Sequence, residues 1–161
     1  MSSDPDQPTS LNEAHARNAS VRVTLEGMLA INANVIEEFR ANGGKVSGMF
    51  ANEPLLLLTT TGAKSGQKRT NPLVHTTDGD RVVIIASFGG APTHPAWFLN
   101  IRANPEVTIE LPGESFTSKA VIPEGEERQR IYDQHAAQMP RFADYQAMTA
   151  REIPVVVIPR R

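Results

Sequence analysis

The alternation of apolar and polar positions divides the chain into a helical first quarter and a β-rich remainder. From Leu11 to about Ala41 apolar residues recur at helical spacing. Val35, Ile36 and Phe39 are the firmest set, and Asn42-Gly43-Gly44 supplies a C-terminal stop. The period then shortens to two. Strands are expected over residues 55–61, 69–76, 81–87, 106–111 and 114–122. Ile153 to Ile158 closes the chain as a further strand, with Pro154 near an edge or a strand start. Gly62 to Gly66, Asp78-Gly79-Asp80 and Pro112-Gly113 read as the turns. A short helix is expected after Pro95, carrying Trp97, Phe98 and Ile101, and two more over residues 126–138 and 141–150.

These elements predict a mainly β domain with flanking helices, a mostly antiparallel barrel of five to six strands. Residues 11–161 form the single domain, with a helical region over 11–42, and residues 1–10 are expected to be disordered. A barrel of that size fills its interior with side chains, so a ligand belongs at a rim, between strands, or at a seam between copies.

Composition narrows the chemistry. The 161 residues are 40% hydrophobic and 21% charged, ordinary for a soluble globular domain with one core. A net charge of −2 supplies no bulk field for nucleic acid, so any anion recognition must be local. The absence of cysteine excludes disulfides, thiolate nucleophiles, thiolate-held zinc and iron–sulfur clusters. The apolar runs are too short to span a bilayer, and the acidic, polar N-terminus is unlike a signal peptide. A cytoplasmic protein is expected. The histidines, His15, His75, His94 and His135, are scattered without metal-ligand spacing.

Three stretches could carry chemistry. In the first, the apolar run Leu55 to Leu58 and the threonines Thr59 to Thr61 lead into a glycine-bounded turn with Lys64, Ser65, Lys68 and Arg69. Strand, cationic glycine turn, strand presents a positive, amide-rich rim suited to a phosphorylated ligand. The stretch is not GxxxxGK[ST], because Lys64-Ser65 precedes the second glycine, so a nucleotide triphosphatase is not expected. On pattern alone it reads equally well as a solvated hairpin. In the second, Ala86-Ser87-Phe88-Gly89-Gly90-Ala91 ends a strand in two glycines, with amides free for a heterocycle's carbonyls and the lone tryptophan, Trp97, downstream. A plain turn into a helix explains it equally well. The third, Phe142 to Pro154, holds Tyr145, whose hydroxyl could donate a proton, although packing explains most helical tyrosines.

TTTGAKSGQKRTNPL, ASFGGAPTHPAWFLNIRANPEV and FADYQAMTAREIPVVVI, in that order, closely resemble the deazaflavin-dependent nitroreductase family over roughly residues 34–158. The resemblance implies a split β-barrel related to the flavin-mononucleotide-binding split barrels, with coenzyme F420 as cofactor. It implies hydride transfer from the reduced deazaflavin to a small-molecule acceptor: a quinone, an activated enone or a nitroaromatic compound. By matching motif, Lys64, Ser65, Gly66 and Arg69 would hold the phosphate and anionic tail. Pro72, Leu73 and Val74 would line the ring, with Ala86, Ser87, Gly89, Gly90, Ala91, Trp97 and Asn100 around the ring or its linker. Tyr145 would stand at the substrate side as the catalytic group. Several members carry lysine where Phe88 stands, which weakens a tail contact here or turns Phe88 toward the substrate. An FMN-dependent oxidoreductase on the same barrel and a non-catalytic deazaflavin carrier are the alternatives. A monomer or a homodimer is compatible with the family. Some relatives use the N-terminal region to lie on a membrane, but Asp4, Asp6, Glu13 and Glu26 argue against that here.

Overall fold

Four consecutive leucines set the architecture. In β1 (Leu55–Thr61) Leu55 to Leu58 are all buried, so this strand is covered on both faces. Leu56 and Leu58 join the main core with Val82, Ile84 and Ile109, while Leu55 and Leu57 meet Val35 and Phe39 of the first helix, α1 (Leu25–Ala41). The computed structural model describes residues 25–160, and the expectations for residues 1–10 and for the chain before Leu25 lie outside the described residues.

β1 is central in an antiparallel sheet of order β2-β1-β5-β6, where β2 is Lys68–Val74, β5 is Glu106–Leu111 and β6 is Glu114–Lys119. A second antiparallel sheet has the order β3-β4-β7, from Thr76–Asp78, Arg81–Ile85 and Val155–Ile158. Two strands pass between the sheets. β2 runs into β3 across His75, and the continuation of β6 reaches Val121, which bridges to Val157. This is the split barrel expected from the sequence, wrapped but not closed into one ladder. The expected strand over 69–76 splits into β2 and β3, and that over 114–122 ends at Lys119 before the isolated bridge at Val121, so seven strands stand among the described residues where five to six were expected. His75 marks one break: its backbone N–H and its ring Nδ1 both meet the Pro54 carbonyl at 2.9 Å.

The helices are α2 (Ala96–Ala103), α3 (Gly125–Gln138) and α4 (Arg141–Ala147). α1 stops at Gly43 and Gly44, both left-handed, with the Gly44 N–H returning to the Phe39 carbonyl at 2.8 Å. α4 ends before the expected residue 150. The Met148 N–H is shared between the Asp144 and Tyr145 carbonyls, each at 3.1 Å, which tightens and closes the last turn. Ile131, Tyr132, Phe142 and Tyr145 from α3 and α4 pack on Val83, Ile85 and Val157 of the second sheet. Among the described residues no helix is long and apolar enough to cross a membrane.

Candidate cofactor site

The β3–β4 hairpin brings two of the sequence motifs face to face. Its ladder pairs Asp78 with Arg81 and Thr76 with Val83 around the two-residue loop Gly79-Asp80. Past Thr76 and Val83 the two strands no longer pair. The ladder stops because β2 turns to pair with β1, Pro72 against Leu57, while β4 pairs with β7, Ile85 against Val155. Leu73 packs into the cluster that holds Ala86, and Val74 into the one that holds Ile85. Pro72 costs no ladder bond, because β2 is an edge strand of its sheet.

Beyond β4 the chain makes an uncommon turn. Ser87 is right-handed helical (φ −74°, ψ −37°), and Phe88, Gly89 and Gly90 are all left-handed (φ 50°, 64° and 80°). Phe88 is the one non-glycine residue with positive φ among the described residues, at a cost of about 1–2 kcal/mol. A right-handed residue followed by a left-handed one turns successive N–H groups toward a common point. The N–H groups of Gly90 and Ala91 close back on the Ser87 and Phe88 carbonyls at 3.0 and 3.1 Å. Those of Ser87, Phe88 and Gly89 meet no acceptor among the described residues. The result is a small concavity of donors, suited to an anionic or carbonyl oxygen.

The C-terminal end of α4 packs on this turn. A Cβ at Gly90 would stand 3.0 Å from the Tyr145 carbonyl oxygen and from Met148 Cβ. From the other side Arg151 gathers the turn's carbonyls. Its Nε donates to Ala91 O at 2.8 Å, and its Nη2 to Ser87 O at 2.8 Å and Ala86 O at 3.3 Å. Its Nη1 lies 3.0 Å from His94 Nδ1. Burial, then the Arg151 and Arg102 charges, hold His94 below its ordinary pKa, so the neutral ring accepts through Nδ1. His94 also packs on Phe98, with ring centroids 4.8 Å apart. Neither Arg151 nor Met148 was assigned a role from sequence. The available signal was an arginine just past a helix end with no acidic neighbour at helical spacing.

The cationic loop lies at the far end of β2. Thr61 pairs with Lys68 and Thr60 with Arg69, so the loop between them leaves the edge of the same strand that carries Pro72. Arg69 and Pro72 are three residues apart, about 10 Å at strand rise. Lys64 and Arg69 are exposed and make no ion pair or hydrogen bond among the described residues, whereas Lys68 Nζ donates to Thr61 Oγ1 at 3.0 Å. Ser65 Oγ accepts the Gln67 N–H at 3.1 Å and lies 2.5 Å from where a Gly62 Cβ would stand. Gly66 takes a positive φ of 73° to complete the turn.

Asn100 joins the loop to the second motif. It is buried on α2, its Oδ1 accepts the Ala63 N–H at 2.9 Å, and its Nδ2 donates to Thr60 Oγ1 at 3.1 Å. Its side chain is thus engaged inside the protein. Trp97, expected around the ring or its linker, is buried in the main core with Leu58, Ile84 and Ala86. Tyr145 is buried, edge-on to Phe142 at 5.2 Å, and its hydroxyl lies within reach of Arg141. Burial raises its pKa, with the Arg141 charge pulling the other way, so the phenol keeps its proton at neutral pH. The hollows of about 450 Å³ outside α3 and α4, and of about 340 Å³ between α1 and the β5–β6 hairpin, hold none of the sequence-predicted site residues.

The chain is similar to known proteins over nearly all the described residues. A family model for F420H(2)-dependent quinone reductases matches residues 32–159. An F420H(2)-dependent quinone reductase of Mycobacterium tuberculosis is 39% identical over 127 residues, 76% of this chain and 85% of that protein. A solved F420-H2 dependent reductase, FDR-A, is 40% identical and superposes with a TM-score of 0.61, covering 65% of this chain and 93% of that one. Another solved structure, described as a domain-swapped dimer, is 36% identical with a TM-score of 0.63, covering 76% of this chain and 93% of that one.

Proposed function

The chain belongs to the F420H(2)-dependent quinone reductase family, and from that premise we propose that it transfers a hydride from reduced coenzyme F420 to a quinone at the split between β2 and β4. Members of this family are oxidoreductases that use F420, and the residues present here fit that cofactor. The observation that carries the proposal is the pairing of two features along one strand edge. Unpaired amides at Ser87, Phe88 and Gly89 follow β4, Leu73 and Val74 of β2 pack into the clusters that hold Ala86 and Ile85, and the exposed cations Lys64, in the loop before β2, and Arg69, on β2, extend that strand's edge. A long ligand with a carbonyl-bearing ring at one end and anionic groups at the other meets both.

Lys64 and Arg69, with the backbone of Ser65 and Gly66, would hold the anionic tail. Pro72, Leu73 and Val74 would line one side of the ring slot, and Ala86, Ser87, Gly89, Gly90 and Ala91 the other. Asn100 and Trp97 would act from behind, Asn100 by bracing the cationic loop and Trp97 by backing Ala86 in the core. F420, bound and reduced, supplies the hydride, so the protein needs no thiol or metal for the electron transfer. The Tyr145 phenol, kept protonated by burial, would give the proton to the acceptor oxygen. Phe88 and Met148 offer apolar surface beside it for a flat acceptor. A homodimer is the assembly favoured by the relative that is itself a domain-swapped dimer.

The test is a pair of titrations of the purified chain, with F420 and with FMN, repeated across salt concentrations and with Lys64→Ala. Saturable binding of F420 alone, weakened by salt less steeply in Lys64→Ala than in wild type, is expected. Preference for FMN would move the chain to a flavin chemistry on the same fold. Tight F420 binding with no turnover of any quinone would make it a carrier.

A further inference from the structure

Arg151 stands 57 or more residues from the groups that it holds, and nothing neutralises it: among the described residues it forms no ion pair, and its guanidinium meets only carbonyl oxygens and the neutral His94. Burial lowers its pKa, which is the cost of keeping a guanidinium there without a carboxylate. A cation so placed needs a reason, and the strained turn in front of it supplies one.

We propose that Arg151 is a positioning residue for the cofactor site. By collecting the carbonyls of Ala86, Ser87 and Ala91 on one side of the turn, it holds Phe88 left-handed and keeps the amides of Ser87, Phe88 and Gly89 turned to the other side, where they receive the carbonyl edge of the ring. This rests on the assignment of the turn to the cofactor ring.

The magnitudes agree. Hydrogen bonds from a charged donor outweigh the cost of holding one non-glycine residue left-handed. The residue type also matters. A guanidinium carries its donors in a rigid planar fork and reaches several carbonyls and His94 at once, whereas a lysine ammonium satisfies one point. Alternating carbonyls and amides in the turn then do the rest: with the carbonyls drawn to Arg151, the amides have only the other side. Reduction makes the ring's carbonyl edge more electron-rich, so this turn favours the reduced cofactor over the oxidised one.

The experiment uses the full chain as wild type, Arg151→Lys, Phe88→Gly and the double variant, with calorimetric titration by oxidised and by reduced F420. Thermal unfolding is measured alongside. Arg151→Lys is expected to weaken oxidised F420 about threefold and reduced F420 about thirtyfold, a tenfold change in the ratio that corresponds to about 30 mV in the two-electron potential of the bound cofactor. Phe88→Gly removes the left-handed penalty, so in that background the Arg151→Lys loss should shrink to less than about threefold for either form. Should Arg151→Lys fail to fold alone, the comparison of Phe88→Gly with the double variant gives the same ratio. Wild-type binding with an unchanged ratio in Arg151→Lys, whatever happens to Tm, overturns the positioning role. Failure of wild type to bind F420 overturns the cofactor assignment, and the positioning role with it.

Discussion

Asn100 Oδ1 accepts the Ala63 N–H at 2.9 Å, and that contact ties the helix after the amide-lined turn to the loop that carries the cations. The other end of the same amide donates to Thr60, so one side chain fixes the spacing of two halves of the site. Asn100→Ala leaves the buried Thr60 hydroxyl and the Ala63 N–H without these partners. A loss of about 1–3 kcal/mol is expected from urea unfolding, with a weaker grip on F420 as the loop relaxes. An unchanged urea midpoint contradicts the brace.

Gly90 and Gly113 separate conformational strain from crowding. Both are left-handed, at φ 80° and 82°, but a Cβ at Gly113 meets nothing within 4 Å, while one at Gly90 meets Met148 and the Tyr145 carbonyl at 3.0 Å. Gly113→Ala is expected to cost about 1–2 kcal/mol and to leave F420 affinity alone. Gly90→Ala should cost clearly more in thermal unfolding and should also reduce affinity, because the α4 end must shift. Equal losses in the two variants would show that the α4 contact carries no weight.

His135 makes stability fall on the acid side. It is buried against Phe142, with Nδ1 2.7 Å from Thr76 Oγ1, and its Nε2 finds no partner. Burial, then the Arg141 and His75 charges, bring its pKa from 6.5 down to about 4. The folded state resists a proton that the unfolded state accepts. This contribution is therefore complete above pH 6.5 and drains away as pH falls toward 4, on the order of 3 kcal/mol in all. His75 and His94, also lowered mainly by burial, act in the same direction. Unfolding free energies across that window should slope downward toward acid, and His135→Gln should flatten the slope without abolishing it. The same slope in both proteins contradicts a neutral buried His135.

Much of the fold was legible in the chain. β1 and β5 were placed to the residue, since the Leu55 to Leu58 run and the alternation of Glu106 to Leu111 admit few other elements. The sheet changes at His75 and near Val121 were not legible, because a strand that bends from one sheet to another keeps its period of two throughout. For the site, glycines marked both turns, but glycine cannot reveal which neighbour shares its strain. Phe88 carries no sequence sign of positive φ, and Arg151 acts on carbonyls that any residue would possess. Asn100 was tied to the site by resemblance and Trp97 first by its flat face after the glycine turn, and the geometry gives each a place inside the protein: one in a brace, the other in the core.

Tyr145 separates chemistry from binding. Burial raises its pKa and keeps its proton, and Tyr145→Phe removes that proton while leaving the buried ring in place. Tyr145→Phe is expected to lower kcat by about a hundredfold, within the usual range for a general acid, with F420 affinity changed less than about twofold. Retention of kcat within a factor of about two would take the proton-donor role from Tyr145 and leave it to water.

The central claim is hydride transfer from F420 to a quinone, and steady-state turnover tests it most directly. Reduced F420 is mixed anaerobically with a soluble naphthoquinone and the purified chain, and the return of the oxidised cofactor's absorbance is followed against quinone concentration. Oxidation that saturates with quinone, requires the protein and is not supported by reduced FMN in place of F420 is the expected result. Oxidation no faster than without protein, or faster with reduced FMN, would contradict it.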